Sequence, residues 1–450
     1  MIDQHDIIAA PATASGGAVS VIRVSGEGCI ACCDRIFRGR VKLADAAPNT
    51  IHYGHIVDGE REVDDVLVSV FRAPHSYTGE DSAEISVHGS RYIVAEVLRL
   101  LLANGARMAS AGEFTVRAFL AGKMDLSQAE AVADIIAADS RAAHALAVTQ
   151  MKGGYSSSLH ELRVQLLDVA SLLELELDFS EEEVEFADRT QLAAMLDDIS
   201  AEVQRLAASF QTGNALKNGI AVAIVGRPNV GKSTLLNRLT GEERAITSEI
   251  AGTTRDTIEE SCDIDGVRFR FIDTAGLRQT DDIVEQMGIE RTRKAIAEAR
   301  IIISISEAGV AAEPITARDG QTLIEVVNKV DISGLPADDS AADDSADGRL
   351  HISAKTGVGI EELRNRLRST VDTAGAYTGE TIVTNARHFE ALQRASAALD
   401  SARSALDSGL SGELLSEDIR EVLSILGEIT GAVTSDDILQ NIFSRFCIGK

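Results

Sequence analysis

Gly226-Arg-Pro-Asn-Val-Gly231-Lys232-Ser233 carries the spacing G-x-x-x-x-G-K-[ST]. Backbone N–H groups of such a loop can wrap a polyphosphate, and the N-terminus of the following helix adds positive potential. Lys232 is placed to reach the β- and γ-phosphates and the Ser233 hydroxyl to ligate Mg²⁺, with Asn229, Val230, Gly231 and Thr234 beside them. Downstream, Asp273-Thr274-Ala275-Gly276 offers an aspartate for the Mg²⁺ shell and a Gly276 N–H for the γ-phosphate. In Asn328-Lys329-Val330-Asp331 the carboxylate of Asp331 can accept two hydrogen bonds from guanine N1 and N2, which adenine does not supply. Ser353-Ala354-Lys355 then provides a backbone N–H for guanine O6, and 252–256 (GTTRD) lies between as a switch segment. In this order the set is specific for GTP, and the chemistry it implies is phosphoryl transfer to water.

One position departs from Ras-like enzymes. Leu277 follows DTAG where a glutamine would orient the attacking water. An aliphatic chain cannot do that, so the water must be held from elsewhere. Arg255 is a source of cationic help by its charge alone.

These residues need a strand before each loop and a helix after it. The β-branched run 220–225, RFRFI before Asp273 and LIEVV before Asn328 read as those strands. The βα alternation through about residue 372 predicts a doubly wound parallel sheet. Within it, 333–348 (SGLPADDSAADDSADG) is acidic and of low complexity, with the composition of a disordered loop. The first ~120 residues mix strands at 17–25, 51–57, 66–71 and 83–87 with a helix over 91–103, an α+β pattern. From Lys123 the pattern is helical. Ser127 with Glu130 makes a capping box, Asp125 with Gln128 an alternative one. Helices are expected over 159–179 and 190–210, separated by FSEEEVEF, which reads as a solvated helix entry rather than a metal site. The pattern switches near 212–219, and helices return at 389–406, 416–429 and 436–446. A helical segment split by an α/β insertion predicts one helical domain built from both flanks.

Composition narrows the function. Of 450 residues, 45% are hydrophobic and 25% charged, the profile of an ordinary globular chain of about three domains. No apolar run approaches the ~20 residues needed to span a bilayer. The start, MIDQHDIIAA, has acids where a signal peptide carries positive charge, so a cytoplasmic location is expected. Cys29, Cys32 and Cys33 form C-x₂-C-C with no second cluster to close a zinc site, and they and Cys262 read as plain thiols. A net charge of −27 excludes a general polyanion binder, so any contact with nucleic acid must be local or shared with a partner.

Taken together, the chain resembles the tRNA wobble-uridine modification GTPases, the MnmE (TrmE) family. The resemblance rests on VSVIRVSG near the N-terminus, SYTGEDSAE at 76–84, GEFTVRAFLAGKMDLSQAEA at 112–131, GRPNVGKSTLLN, IAGTTRD, DTAGLR, and the terminal TSDDILQNIFSRFCIGK. It implies a multidomain fold: an α+β N-terminal domain (1–122) that binds tetrahydrofolate and dimerises, a helical domain from two flanks (123–215 and 377–450), and an inserted Ras-like α/β P-loop G domain (216–376). It implies joint work with the FAD-dependent MnmG (GidA) subunit in a heterotetramer or larger complex. Together they would install a (carboxymethyl)aminomethyl group at C5 of the wobble uridine, the one-carbon unit coming from 5-formyl- or methylene-tetrahydrofolate. The low overall basicity fits a tRNA held largely by that partner.

By the same resemblance Arg23, Glu80 and Lys123 contact the folate, with the C-terminal Cys447 and Lys450 folded back towards it. A structural Arg23–Glu80 ion pair is the plainer alternative. K⁺ would be held by Asn229 with Ser248, Ile250 and Thr253, Thr254 would complete the Mg²⁺ shell, and Glu285 matches the catalytic glutamate. Where the family has a Gly-Arg-Gly-Gly turn this chain has Ala14-Ser15-Gly16-Gly17, and IIISISEAG lacks an aspartate near its end. The segment from there to NKVD is also short. A regulatory or ribosome-assembly GTPase with a folate-like scaffold is the competing class. The helical, acidic stretch ALDSGLSGELLSEDIREVL after the G domain lacks the basic Gly-x-x-Gly module such proteins use for RNA.

Overall fold

Along Arg61–Phe71, Val66, Val68 and Val70 are buried and the residues between them are not, the period-two signature of a strand with one covered face. That strand belongs to a computed structural model that describes residues 6–14, 16–178, 189–241, 260–272, 285–310, 314–333, 348–371, 373–409, 412–433, 436–444, 446 and 449. The chain divides into two compact units. The first comprises Met1–Ala133, Gln150–Met195 and Ala398–Lys450; the second comprises Asp134–Thr149 and Leu196–Ala397.

The first unit holds a seven-stranded sheet of β1 (Ile7–Pro11), β2 (Val19–Ser25), β3 (Phe37–Gly39), β4 (Thr50–Asp58), β5 (Arg61–Phe71), β6 (Ser82–His88) and β7 (Ala106–Met108). Its order is β3-β4-β5-β6-β2-β1-β7. All pairings are antiparallel except β1 with β7. Helices Cys29–Ile36 and Arg91–Ala103 supply Cys29, Ile30, Cys33, Val94, Val97 and Leu101 to the core on one face. The thiols of Cys29, Cys32 and Cys33 are therefore buried apolar groups, and burial pushes the Cys29 and Cys33 thiols well above their usual range. Helix Gly154–Asp178 packs along Gly412–Thr430, with Arg163 Nη1 donating to the Leu423 carbonyl (3.3 Å) and Arg420 paired to Glu174 (2.7 Å).

In the second unit a six-stranded sheet runs β13-β12-β11-β8-β10-β9. Its strands are β8 (Ile220–Val225), β9 (Glu260–Ile264), β10 (Val267–Phe271), β11 (Ile301–Glu307), β12 (Thr322–Asn328) and β13 (Leu350–His351). Only the β9–β10 hairpin is antiparallel. Ile301 to Ser306 of the central β11 are all buried, as expected of a parallel strand covered on both faces. One face packs Leu235, Leu236 and Leu239 of helix Lys232–Gly241 with Leu363 and Leu367 of helix Ile360–Ser369; the other packs Ala295 of helix Glu285–Glu298. This is the doubly wound sheet that the strand and helix alternation predicts.

Several local expectations are corrected. The helix expected to end at 210 runs over Arg189–Asn218, because Leu216 is drawn into the core beside Ile220. The capping box forms at Asp125 and Gln128: each side chain accepts from the other's backbone N–H, at 2.8 and 2.9 Å. Ser127 instead lies fully buried against Ser156 Oγ (3.2 Å). The last helix, Asp436–Phe443, ends before Phe446. FSEEEVEF and nearly all of the acidic stretch 333–348 lie outside the described residues.

Candidate functional site

In the second unit β8 delivers the chain into the loop 226–231, and helix Lys232–Gly241 opens at Lys232. Gly231 has φ +102°, and a Cβ there would lie 2.3 Å from Asn328 Nδ2, so both conformation and space require glycine. Asn328 is 2% exposed; it donates Nδ2 to the Val230 carbonyl (2.8 Å) and accepts from the Ala354 N–H at Oδ1 (2.9 Å). One side chain thus ties the phosphate loop to the Ser353-Ala354-Lys355 loop. Lys329 Nζ donates to the Asn229 carbonyl (2.8 Å) and pairs with Glu307, while Asn229 itself takes a left-handed φ of +63°.

Asp331 accepts from Ser353 Oγ at Oδ1 (2.7 Å), which leaves its second oxygen on an exposed side chain. The Lys355 carbonyl is held by Arg238 Nη2 (3.0 Å). Lys232 Nζ donates to the carbonyls of Gly226 (2.6 Å) and Arg227 (2.8 Å), inside the curve of the loop. Ser233 and Thr234 occupy the first helical turn. The structure therefore brings together Asn229, Val230, Gly231, Lys232, Asn328, Lys329, Asp331, Ser353 and Ala354 at the carboxyl ends of β8 and β12, the usual ligand edge of such sheets. Ser248, Ile250, Thr253, Thr254, Asp273, Thr274, Ala275 and Gly276 lie outside the described residues. Glu285 opens helix Glu285–Glu298, and its side chain lies outside them too.

A second polar centre lies in the first unit. Arg23, on β2, directs Nε to Glu84 Oε1 (2.9 Å) on the neighbouring β6. Its guanidinium sits over the rings of Tyr77 (5.1 Å) and Phe114 (5.7 Å), which lowers the cost of a half-buried cation. The ion pair is with Glu84, the cross-strand partner of Arg23, and not with Glu80. Glu80 instead accepts from Ser25 Oγ (2.8 Å) and Arg117 Nη1 (3.3 Å). Arg23 and Ser25 are two apart on one strand, so they share a face. Lys123 Nζ donates to the Pro74 carbonyl (2.9 Å), and its side chain runs beside Gly79, next to Glu80.

Gly449 reaches the same strand: its carbonyl accepts from Arg23 Nη1 at 3.3 Å. Cys447 and Lys450 lie outside the described residues. Tyr77, Phe114, Arg117, Glu84 and Ser25 were not expected at this centre. Tyr77 and Glu84 fall in the SYTGEDSAE block and Phe114 and Arg117 in GEFTVRAFL, so the blocks carried the signal but not the roles.

Two family profiles match the chain. The profile for the N-terminus of the GTP-binding protein TrmE matches residues 7–123, and that for the MnmE helical domain matches residues 126–447. Proteins named tRNA modification GTPase MnmE match end to end. The one from Christiangramia forsetii is 48% identical over 99% of each chain. The one from Flavobacterium johnsoniae is 49% identical over 100% of both, and the one from Bacteroides fragilis is 49% identical over 99% of this chain and 100% of its own.

Proposed function

We infer that this chain, which belongs to the MnmE (TrmE) family of tRNA modification GTPases, hydrolyses GTP while adding a (carboxymethyl)aminomethyl group to C5 of the wobble uridine of certain tRNAs. It does so in the cytoplasm, as a homodimer assembled with the FAD-dependent MnmG partner. In this reading residues 1–122 bind folate and dimerise, 216–376 bind GTP, and 123–215 with 377–450 form the helical domain.

The GTP part is carried by one observation: Asn328 fastens the phosphate loop to the Ala354 loop, with Asp331 exposed beside them and its second oxygen unengaged among the described residues. That arrangement fits guanine, which needs an acceptor for N1 and N2 and an N–H for O6. Ser233 would hold Mg²⁺ with Thr254 and Asp273, and Asn229 would hold K⁺ with Ser248, Ile250 and Thr253. These cations supply positive charge against the phosphates. Lys232 binds and orients the phosphates. Glu285 holds the attacking water in place of Leu277, acting through a bridging water.

The folate part rests on the chemistry of the first unit's donor set. Glu80 offers a carboxylate acceptor for a pterin N–H edge, and Arg23 and Lys123 offer cations for the glutamate tail, with Lys450 nearby in sequence to Gly449. Bound there, the folate supplies the one-carbon unit. The test is nucleoside analysis of tRNA from cells lacking this protein, rescued by wild type or by Lys232→Ala. Loss of modified wobble uridines, restored only by wild type, is expected. Unchanged wobble uridines overturn the reading in favour of a regulatory GTPase.

A further inference from the structure

Arg117 lies on helix Glu113–Leu120 and is 2% exposed. Its Nη1 donates to the Asp6 carbonyl (2.9 Å) and to both oxygens of Glu80 (3.3 Å each). Its Nη2 pairs with the Asp6 carboxylate and with Glu113 Oε1 (3.2 Å). Arg107 closes the group from the other side, meeting Glu113 at 2.5 and 2.8 Å and Asp6 Oδ2 at 2.5 Å. Among the described residues two guanidiniums thus face three carboxylates, and one negative charge is left over.

Where that charge is available is decided by the contacts. Asp6 and Glu113 each have both oxygens engaged by guanidinium or backbone N–H donors. On Glu80, Oε2 takes the Ser25 hydroxyl (2.8 Å), whose own oxygen is met by Thr78 Oγ1 (2.7 Å). Among the described residues Oε1 has only the 3.3 Å contact with Arg117. Glu80 is therefore anchored chiefly through Oε2, which takes both the Ser25 hydroxyl and Arg117 Nη1, and Oε1 keeps spare acceptor capacity.

We propose that Arg117 is a positioning residue for ligand recognition: it holds the Glu80 carboxylate so that Oε1 accepts from the N–H edge of an aminopyrimidine-type ring. This rests on the folate reading of the site. A buried guanidinium serves better than a lysine because its fork meets Glu80, Asp6 and Glu113 at once.

The test is a double-mutant cycle by calorimetry, titrating 5-formyltetrahydrofolate into the full-length protein: wild type, Arg117→Lys, Glu80→Gln and the double variant. Each single change should weaken binding roughly tenfold or more, the loss of one charge-assisted hydrogen bond. In the Glu80→Gln background Arg117→Lys should add little further. A merely structural Arg117 would weaken binding equally in both backgrounds, and that result overturns the proposal. Should Arg117→Lys fail to fold, Ser25→Ala enters the same cycle, since it removes the other anchor of Glu80; additivity there overturns the proposal equally. A wild type that binds no folate refutes the reading of the site itself, whereas a wild type that binds, with additive variants, refutes only the positioning role.

Discussion

The Gly449 carbonyl accepts a hydrogen bond from Arg23 Nη1 at 3.3 Å, joining positions 426 residues apart. Gly449 takes a φ of +98°, and a Cβ on it would fall 2.1 Å from the Pro11 carbonyl oxygen. Gly449→Ala should therefore lift the end of the chain off β1 and β2, since the strain and the overlap together exceed what a single hydrogen bond returns, about 1 kcal/mol. Because GTP is handled elsewhere in the chain, we expect near-normal GTP hydrolysis with strongly reduced tRNA modification. Cys447→Ser should show the same split. Full modification by both variants would remove the C-terminal segment from the chemistry.

In our reading base selection rests on Asp331. Replacing it by asparagine substitutes an N–H donor for an acceptor, so GTP affinity should fall about a hundredfold or more. The same amide can donate to the C2 carbonyl of xanthine, so Asp331→Asn should recover affinity for xanthosine triphosphate. Asn328→Ala should cost roughly 2–3 kcal/mol of GTP binding without such recovery, because it leaves the Val230 carbonyl and the Ala354 N–H without their shared partner. Fluorescent-nucleotide titration separates the two. An Asp331→Asn variant with unchanged preference would place the guanine contact elsewhere.

What could be read beforehand follows from how local each signal is. The phosphate loop, Asn328 and Asp331 are legible because each motif is contiguous and its strand and helix flank it directly. The capping choice between Ser127/Glu130 and Asp125/Gln128 is not, since both pairs satisfy the same i, i+3 spacing. It is settled by the packing of Ser127 against Ser156, 29 residues on. Arg117 is not legible for the same reason: on a helix its charge reads as solvated, and its partners Asp6 and Glu80 lie 111 and 37 residues earlier. Within the apolar run VSVIRV the charge of Arg23 is costly unless paired, which the sequence shows, but the partner is not legible there. Only the β2–β6 register places Glu84, rather than Glu80, opposite it.

The network around Arg117 should make the first unit sensitive to acid. Burial alone would raise the carboxyls of Asp6 and Glu113, but hydrogen bonds and charge from Arg107 and Arg117 hold both below their ordinary values of 3.8 and 4.5. Carboxyls depressed in the folded state stabilise it above those ordinary values, and that contribution is lost as pH falls through the lower folded ones. Thermal melting between pH 6 and pH 3 should show the loss setting in only below about 4.5. Glu113→Gln should be less stable at pH 6 yet lose less on acidification. A variant whose melting falls as steeply as wild type would show that the acid sensitivity lies outside this network.

Hydrolysis itself should depend on potassium. Leu277 offers no atom to orient water, and a cation must offset charge developing between the β- and γ-phosphates. Asn229 carries a side-chain oxygen suited to that cation, and its backbone is held in the left-handed region while Lys329 grips its carbonyl. In our reading Ser248, Ile250 and Thr253 add their oxygens once the switch segment closes, and two G domains meet across it. The GTPase rate should then be roughly tenfold or more higher in potassium than in sodium at equal ionic strength. Asn229→Ala should erase that difference while the sodium rate changes little, because the loop's backbone contacts with the nucleotide remain. Glu285→Ala should be slow in both salts, as it removes the group that holds the water rather than the cation. Equal wild-type rates in the two salts would defeat the potassium site, and a fully active Glu285→Ala would return the question of what positions the water to the residues around Leu277.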